Sequence, residues 1–142
     1  FFFFFFFFRL NKLVKVDIFS PNEIETALIT GIRPDTLDDC LRASMAICSQ
    51  TDVRYVVLKL GARGCYVYDG KYCDLIAPFV VQAVDTTAAG DAFTAALATE
   101  FLRTGDITAS ARYANAVGAL TTAGAIHSLP TRETVRRFLE QI

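Results

Sequence analysis

Asp85-Thr86-Thr87-Ala88-Ala89-Gly90-Asp91-Ala92-Phe93-Thr94-Ala95-Ala96-Leu97 is the stretch whose reading decides the fold. The apolar run Phe79 to Val84 in front of it reads as a strand. Behind it a long helix is expected from about Ala89 to Arg103, because Phe93, Leu97 and Phe101 recur four apart and Gly105 supplies a stop. Three small residues, Ala88, Ala89 and Gly90, therefore sit where a strand turns into a helix. Small side chains leave the backbone N–H groups there open to an anion, and the helix N-terminus adds a partial positive charge. Phosphoryl transfer needs that electrostatic equipment. Asp91 falls in the first helical turn, where a carboxylate can accept a proton from an attacking hydroxyl. The same position also suits a carboxylate that only stabilises the helix end.

Working outward, Lys15 to Phe19 reads as a short strand closed by Ser20-Pro21. A helix over Asn22 to Thr30 is stopped by Gly31 and Pro34. A second helix, about Thr36 to Ser49, is expected to turn Leu37, Leu41, Ser44, Met45 and Cys48 inward. Arg54 to Leu60 is a nearly continuous apolar run, the pattern of a strand buried on both faces of a parallel sheet. Gly61 and Gly64 punctuate the next loop. Cys65 to Tyr68 and Lys71 to Leu75 read as a hairpin around Asp69-Gly70. Helices near Thr108 to Thr122 and Arg132 to Gln141, the latter capped by Thr131, complete the chain. Strands alternating with helices predict a Rossmann-like α/β fold with a mainly parallel sheet flanked by helices.

Composition excludes several functions. The 142 residues are 53% hydrophobic and 20% charged, which predicts a packed core rather than disorder. A net charge of −1 gives no electrostatic case for nucleic acid or an anionic membrane. One histidine, His127, excludes a His-rich metal site. Cys40, Cys48, Cys65 and Cys73 form no CxxC pair, and four reduced thiols point to a cytoplasmic protein. Phe1 to Phe8 is an unbroken run too short to span a bilayer. It is compatible with a buried strand, an appended segment or a stretch whose residue identities carry no information. Residues 1–15 are therefore set apart, and 16–142 are taken as one unit.

The segment Asp85 to Leu97 resembles the C-terminal signature of the ribokinase-like, or pfkB, carbohydrate kinases. Other segments agree in order and spacing. Asn22-Glu23-Ile24-Glu25 is similar to the family's Asn-x-x-Glu motif, and Lys59-Leu60-Gly61-Ala62-Arg63-Gly64 to its loop along ATP. Tyr113-Ala114-Asn115-Ala116 resembles the helix that borders adenine, and Ser128-Leu129-Pro130-Thr131-Arg132-Glu133 the closing loop. The resemblance covers about Val16 to Ile142.

The resemblance implies an ATP-dependent kinase in which Ala88, Ala89 and Gly90 form the anion hole and Asp91 is the base. It implies that Asn22 and Glu25 help organise Mg²⁺ and phosphates. Lys59, Gly61, Gly64, Gly90 and Asn115 would contact the nucleotide. Asp85, Thr87, Thr121, Gly124 and Ser128 would surround a monovalent cation, K⁺, for which hard oxygen donors are suited. His127, and a stretch between Asn115 and Gly124 shorter than usual, depart from the family pattern there. The implied reaction is phosphorylation of a sugar hydroxyl, first of all D-ribose to ribose 5-phosphate. Fructose, 2-keto-3-deoxygluconate and nucleosides are the alternative substrates, and an inactive nucleotide-binding or structural remnant is the alternative function. In the family an N-terminal half supplies most sugar contacts and, in many members, a homodimer interface. This chain is expected to correspond to the C-terminal half, to be inactive alone, and to self-associate through uncovered apolar surface.

Overall fold

The computed structural model describes residues 16–124 and 130–142. The octaphenylalanine run, His127 and Ser128 lie outside them. The chain folds as strand β1 (Ile18–Phe19), helices α1 (Glu23–Thr30) and α2 (Leu37–Gln50), strands β2 (Tyr55–Lys59), β3 (Cys65–Tyr68) and β4 (Cys73–Ile76), then helices α3 (Ala89–Thr104), α4 (Ile107–Thr122) and α5 (Arg132–Glu140). A single 3-10 turn, Gly61–Arg63, joins β2 to β3.

Local chemistry fixes these boundaries. Asn22 and Glu25 form a reciprocal capping box at the start of α1, and Gly31 ends that helix in the left-handed conformation. Thr36 and Asp39 repeat the box on α2. Asp106 caps α4 and Thr131 caps α5. At the hairpin tip Asp69 Oδ1 accepts the Lys71 and Tyr72 amides at 2.8 and 2.6 Å.

The sheet order is β1-β2-β3-β4. β1 and β2 are parallel, joined through α1 and α2, whereas β2–β3 and β3–β4 are antiparallel. The α/β class holds, but among the described residues the sheet is mixed rather than mainly parallel. The reason is connection length. Only Leu60 to Gly64 link β2 to β3, and a parallel return needs a crossover of a dozen or so residues.

Side-chain alternation divides the core. Val57, Cys65 and Val67 face Phe93 and Leu97 of α3 and Ala111 and Ala114 of α4. Val56, Leu58, Tyr66 and Tyr68 face Cys40 and Ile47 of α2. A third cluster joins α3, α4 and α5 through Ala92, Ala116, Val117 and Val135, with Phe79 edge-on to Phe138. The four cysteines are unpaired. Burial pushes the Cys65 thiol up to about 12, which makes it an inert core residue.

Two further expectations are corrected. Phe79 to Val84 forms no strand. Its neighbours are bonded to α4 instead: Ile76 and Ala77 carbonyls accept from Asn115, and the Val84 and Asp85 amides donate to Thr122 O. Val80 is 96% exposed, so an apolar run found no sheet to join. On α2 the buried residues are Cys40, Ala43, Ser44 and Ile47, while Leu37 and Met45 are exposed. Close approach of helix to sheet favours the small residues, which rotates the inner face by about one position from the stripe of large ones. Ile24 and Leu28 of α1 are likewise exposed.

One buried charge ties α5 to the body. Glu100, nearly buried on α3, receives Arg103 of its own helix and Arg132 at the start of α5. The Arg103 bonds, with Arg132 second and against the cost of burial, hold its carboxyl below the usual range. A lowered folded pKa contributes stability that is full above the ordinary value of 4.5 and is lost as pH falls through the folded value. Glu100→Gln is therefore expected to cost roughly 1.5–3 kcal/mol at neutral pH. Thermal unfolding from pH 7 to 3 should show the gap to wild type closing as pH drops below that ordinary value.

Candidate functional site

The seating of α3 against β2 creates the site. Tyr55, Val57 and Lys59 alternate onto one face of β2. The Tyr55 ring stands edge-on to Phe101 with centroids 5.4 Å apart, Val57 packs in the cluster of Phe93 and Leu97, and Lys59 Nζ donates to Thr94 Oγ1 at 3.3 Å. Numbers rise along β2 as they fall along α3, so the two elements run antiparallel. Tyr55 to Lys59 climbs about 13 Å, and Phe101 back to Thr94 covers about 10 Å of helix. The C-terminal end of β2, with its following loop, and the N-terminus of α3 thus share one end of the sheet. Ligands of open α/β sheets bind beyond the carboxyl ends of strands.

Three further segments are held at that end. The Lys59 amide donates to Pro21 O at 2.9 Å and Asn22 bridges to Lys59, which brings the capping box of α1 alongside. Asn22 N donates to Glu25 Oε2 and Glu25 N to Asn22 Oδ1, both at 2.8 Å, so the Asn-x-x-Glu spacing first of all builds a helix start. Arg63 then staples the 59–64 loop to this region. It pairs with Glu23 and donates to Asp35 O at 2.8 Å and Pro34 O at 2.7 Å. No sequence pattern assigned Arg63 that role, since its partners lie 28 to 40 residues away. Gly64 closes the loop with φ +91°, its α-carbon pressed onto the end of β4.

The start of α3 is open. Ala88, its N-cap, has φ 65° and ψ −6° and gives no side-chain cap. It is the one non-glycine residue with positive φ among the described residues. Left-handed backbone costs a non-glycine residue roughly 1–2 kcal/mol, and such strain concentrates at functional sites. Ala89 N reaches back weakly to Thr86 O at 3.3 Å, and the helical ladder begins only with Ala92 N to Ala88 O at 2.9 Å. The Gly90 and Asp91 amides have no acceptor among the described residues and are orphan donors of a helix start. Ala88, Gly90 and Asp91 are exposed. Neither Asp91 nor the half-buried Lys59 belongs to an ion pair among the described residues. A carboxylate, an ammonium and two orphan amides at one helix end can together receive an anion and a proton.

Asn115 is buried, and its Nδ2 donates to Ile76 O and Ala77 O, each at 3.1 Å. Its amide nitrogen is thus committed to clamping the end of β4, its backbone lies inside the α4 hydrogen-bond ladder, and only its Oδ1 is left for a nucleotide base. The segment after β4 and the end of α4 also meet. Val84 and Asp85 amides donate to Thr122 O at 2.9 and 3.1 Å, and Gly124 lies against Val84. Asp85 Oδ1 accepts the Thr87 amide at 2.7 Å. Thr87, by its hydroxyl and then its amide, holds the Asp85 carboxyl below the usual range. Thr121 turns its hydroxyl proton to Val117 O at 2.8 Å. Asp85, Thr87 and Gly124 are gathered, while Ser128 lies outside the described residues.

Comparison with known proteins identifies the family and the fold. The family described as pfkB family carbohydrate kinase matches residues 9–132. The chain is 34% identical over 127 residues to a ribokinase of Haemophilus influenzae, covering 88% of this chain and 41% of that protein. It is 35% identical over 136 residues to fructokinase-1 of Zea mays, covering 89% and 41%. Its fold matches the structure of Arabidopsis thaliana ribokinase complexed with ribose and ATP, with TM-score 0.79 and 30% identity, over 88% of this chain and 41% of that one. The chain thus spans well under half of these relatives.

The 59–64 loop yields a stability test. A Cβ at Gly64 would lie 2.1 Å from Ile76 O and 2.9 Å from Pro78 N, whereas one at Gly61, φ +57°, meets nothing within 4 Å. Gly61→Ala should cost only the left-handed penalty of about 1–2 kcal/mol. Gly64→Ala adds a backbone clash and should cost more than about 3 kcal/mol. Urea midpoints of the two variants would check the order.

Proposed function

The chain belongs to the pfkB family of carbohydrate kinases, and on that premise we propose that it supplies the phosphate side of ATP-dependent phosphorylation of a sugar hydroxyl. The observation that carries this reading is the antiparallel register of β2 and α3, which gathers Lys59, Gly90 and Asp91 at one end of the sheet.

Each residue has a role that its position supports. The Gly90 and Asp91 amides, with the α3 dipole, offer donors to charge developing on the transferred phosphoryl group. The Lys59 ammonium adds a positive charge, and the 61–64 turn lies along the nucleotide. Asp91 takes the proton of the sugar hydroxyl as its oxygen bonds to the terminal phosphorus of ATP and ADP departs. Asn115 borders the nucleotide base through Oδ1.

Glu25 has one carboxylate oxygen, Oε1, with no donor among the described residues, on the helix start that Asn22 bridges to Lys59. That fits a role for Asn22 and Glu25 in holding Mg²⁺, which when bound neutralises phosphate charge. Asp85, Thr87, Thr121, Gly124 and Ser128 offer the hard oxygen donors that K⁺ takes.

D-Ribose is the substrate we favour, from the ribokinase relatives. Fructose is the second reading, favoured by fructokinases of similar identity. We further propose that the chain alone binds nucleotide without sugar-dependent turnover, since it spans 41% of the Haemophilus relative, and that its four free thiols reside in the cytoplasm.

Asp91→Asn in the full-length protein tests the base. Size and hydrogen bonding are nearly kept, so fold and ATP affinity should survive. Turnover with ribose or fructose should fall by about 10²–10⁴-fold. A residue serving only the helix end would instead leave turnover largely intact and cost about 0.3–1 kcal/mol of stability.

A further inference from the structure

We propose that Thr94 is a positioning residue that holds the Lys59 ammonium in place beside the open N-terminus of α3. The inference rests on the kinase reading above and adds a residue to it. Thr94 Oγ1 donates to Gly90 O at 3.0 Å and accepts from Lys59 Nζ at 3.3 Å. The hydroxyl proton is thus directed to the helix carbonyl, and a lone pair is left to face the ammonium. Nothing else restrains the tip of Lys59 among the described residues, since it joins no ion pair. The base of the same side chain is fixed by the Lys59 amide bond to Pro21 O.

Thr94 is three residues beyond Asp91, a spacing that puts both on one face of α3. The latch therefore delivers a cation to the face that carries the proposed base. An ammonium has three donors, and Thr94 engages one, leaving the others for phosphate oxygens. A lysine stem gives up much rotational freedom when it grips an anion. A hydroxyl that restrains the stem beforehand reduces what is given up on binding. The latch should act on nucleotide affinity more than on the chemical step.

The test compares Thr94→Val, which keeps shape and removes the hydroxyl, with Thr94→Ser, which restores it, in the full-length protein. Steady-state kinetics with ATP and ribose or fructose should show the ATP KM raised about 3–10-fold in the valine variant, the scale of one lost hydrogen bond. Its kcat should stay within about twofold, and the serine variant should match wild type. Acylation of Lys59 by an amine reagent, measured by mass spectrometry against Lys71 in nucleotide-free protein, should be faster in the valine variant alone. Unchanged KM and labelling would overturn the latch, as would a serine variant no better than valine or a loss confined to kcat. If wild type phosphorylates no sugar, the kinase reading falls, and the labelling comparison still decides whether Thr94 restrains Lys59.

Discussion

Antiparallel packing of α3 along β2 is the constraint from which the rest follows. It is set by three contacts at matched heights: ring on ring at Tyr55 and Phe101, aliphatic packing of Val57 around Leu97, and a polar contact from Lys59 to Thr94. The apolar pairs anchor the middle and one end, where Val57 and Leu97 are almost wholly buried. The polar pair falls at the other end, where the helix starts and the backbone is unsatisfied. Sliding α3 by one turn, about 5.4 Å, would move Thr94 off Lys59 and the orphan amides away from the 59–64 loop. Apolar packing thereby determines where charged and hydrogen-bonding groups meet.

That end of the molecule is built to remain unsatisfied. Helices α1, α2, α4 and α5 each have a side-chain cap. α3 has none and begins with a strained alanine. Its neighbours, by contrast, are firmly fixed: Arg63 ties the loop to Glu23, Pro34 and Asp35, and Asn115 ties the end of β4 to α4. Uncapped donors on a rigid frame are what electrostatic preorganisation requires, because donors already aimed at an anion need no reorganisation when it arrives.

Sequence and structure agree best where the determining contacts are local. The small residues at 88–90, the Thr131 cap and the Asp69-Gly70 turn act over a few positions, and each was legible. The direction of β3 was also encoded, in the short link from Leu60 to Gly64, but alternation of strands with helices outweighed it. Phe79 to Val84 misled because an apolar run records preference for a sheet and not the presence of a partner strand. The partners of Arg63, Asn115 and Lys59 lie 28 to 40 residues away along the chain. No spacing rule reaches that far, so the Arg63 staple, the Asn115 clamp and the Thr94 contact emerge only once β2, α3 and α4 are packed.

The central claim is that the β2 carboxyl end and the α3 N-terminus form one phosphate-binding surface. Backbone amide NMR during titration with Mg²⁺ and a non-hydrolysable ATP analogue tests it most directly. The account predicts that the largest shift changes fall on Gly61, Gly64 and Ala89 to Ala92, with Gly90 and Asp91 foremost. Changes concentrated at the opposite end, around Tyr55 and Gly105, with those amides unmoved, would contradict it.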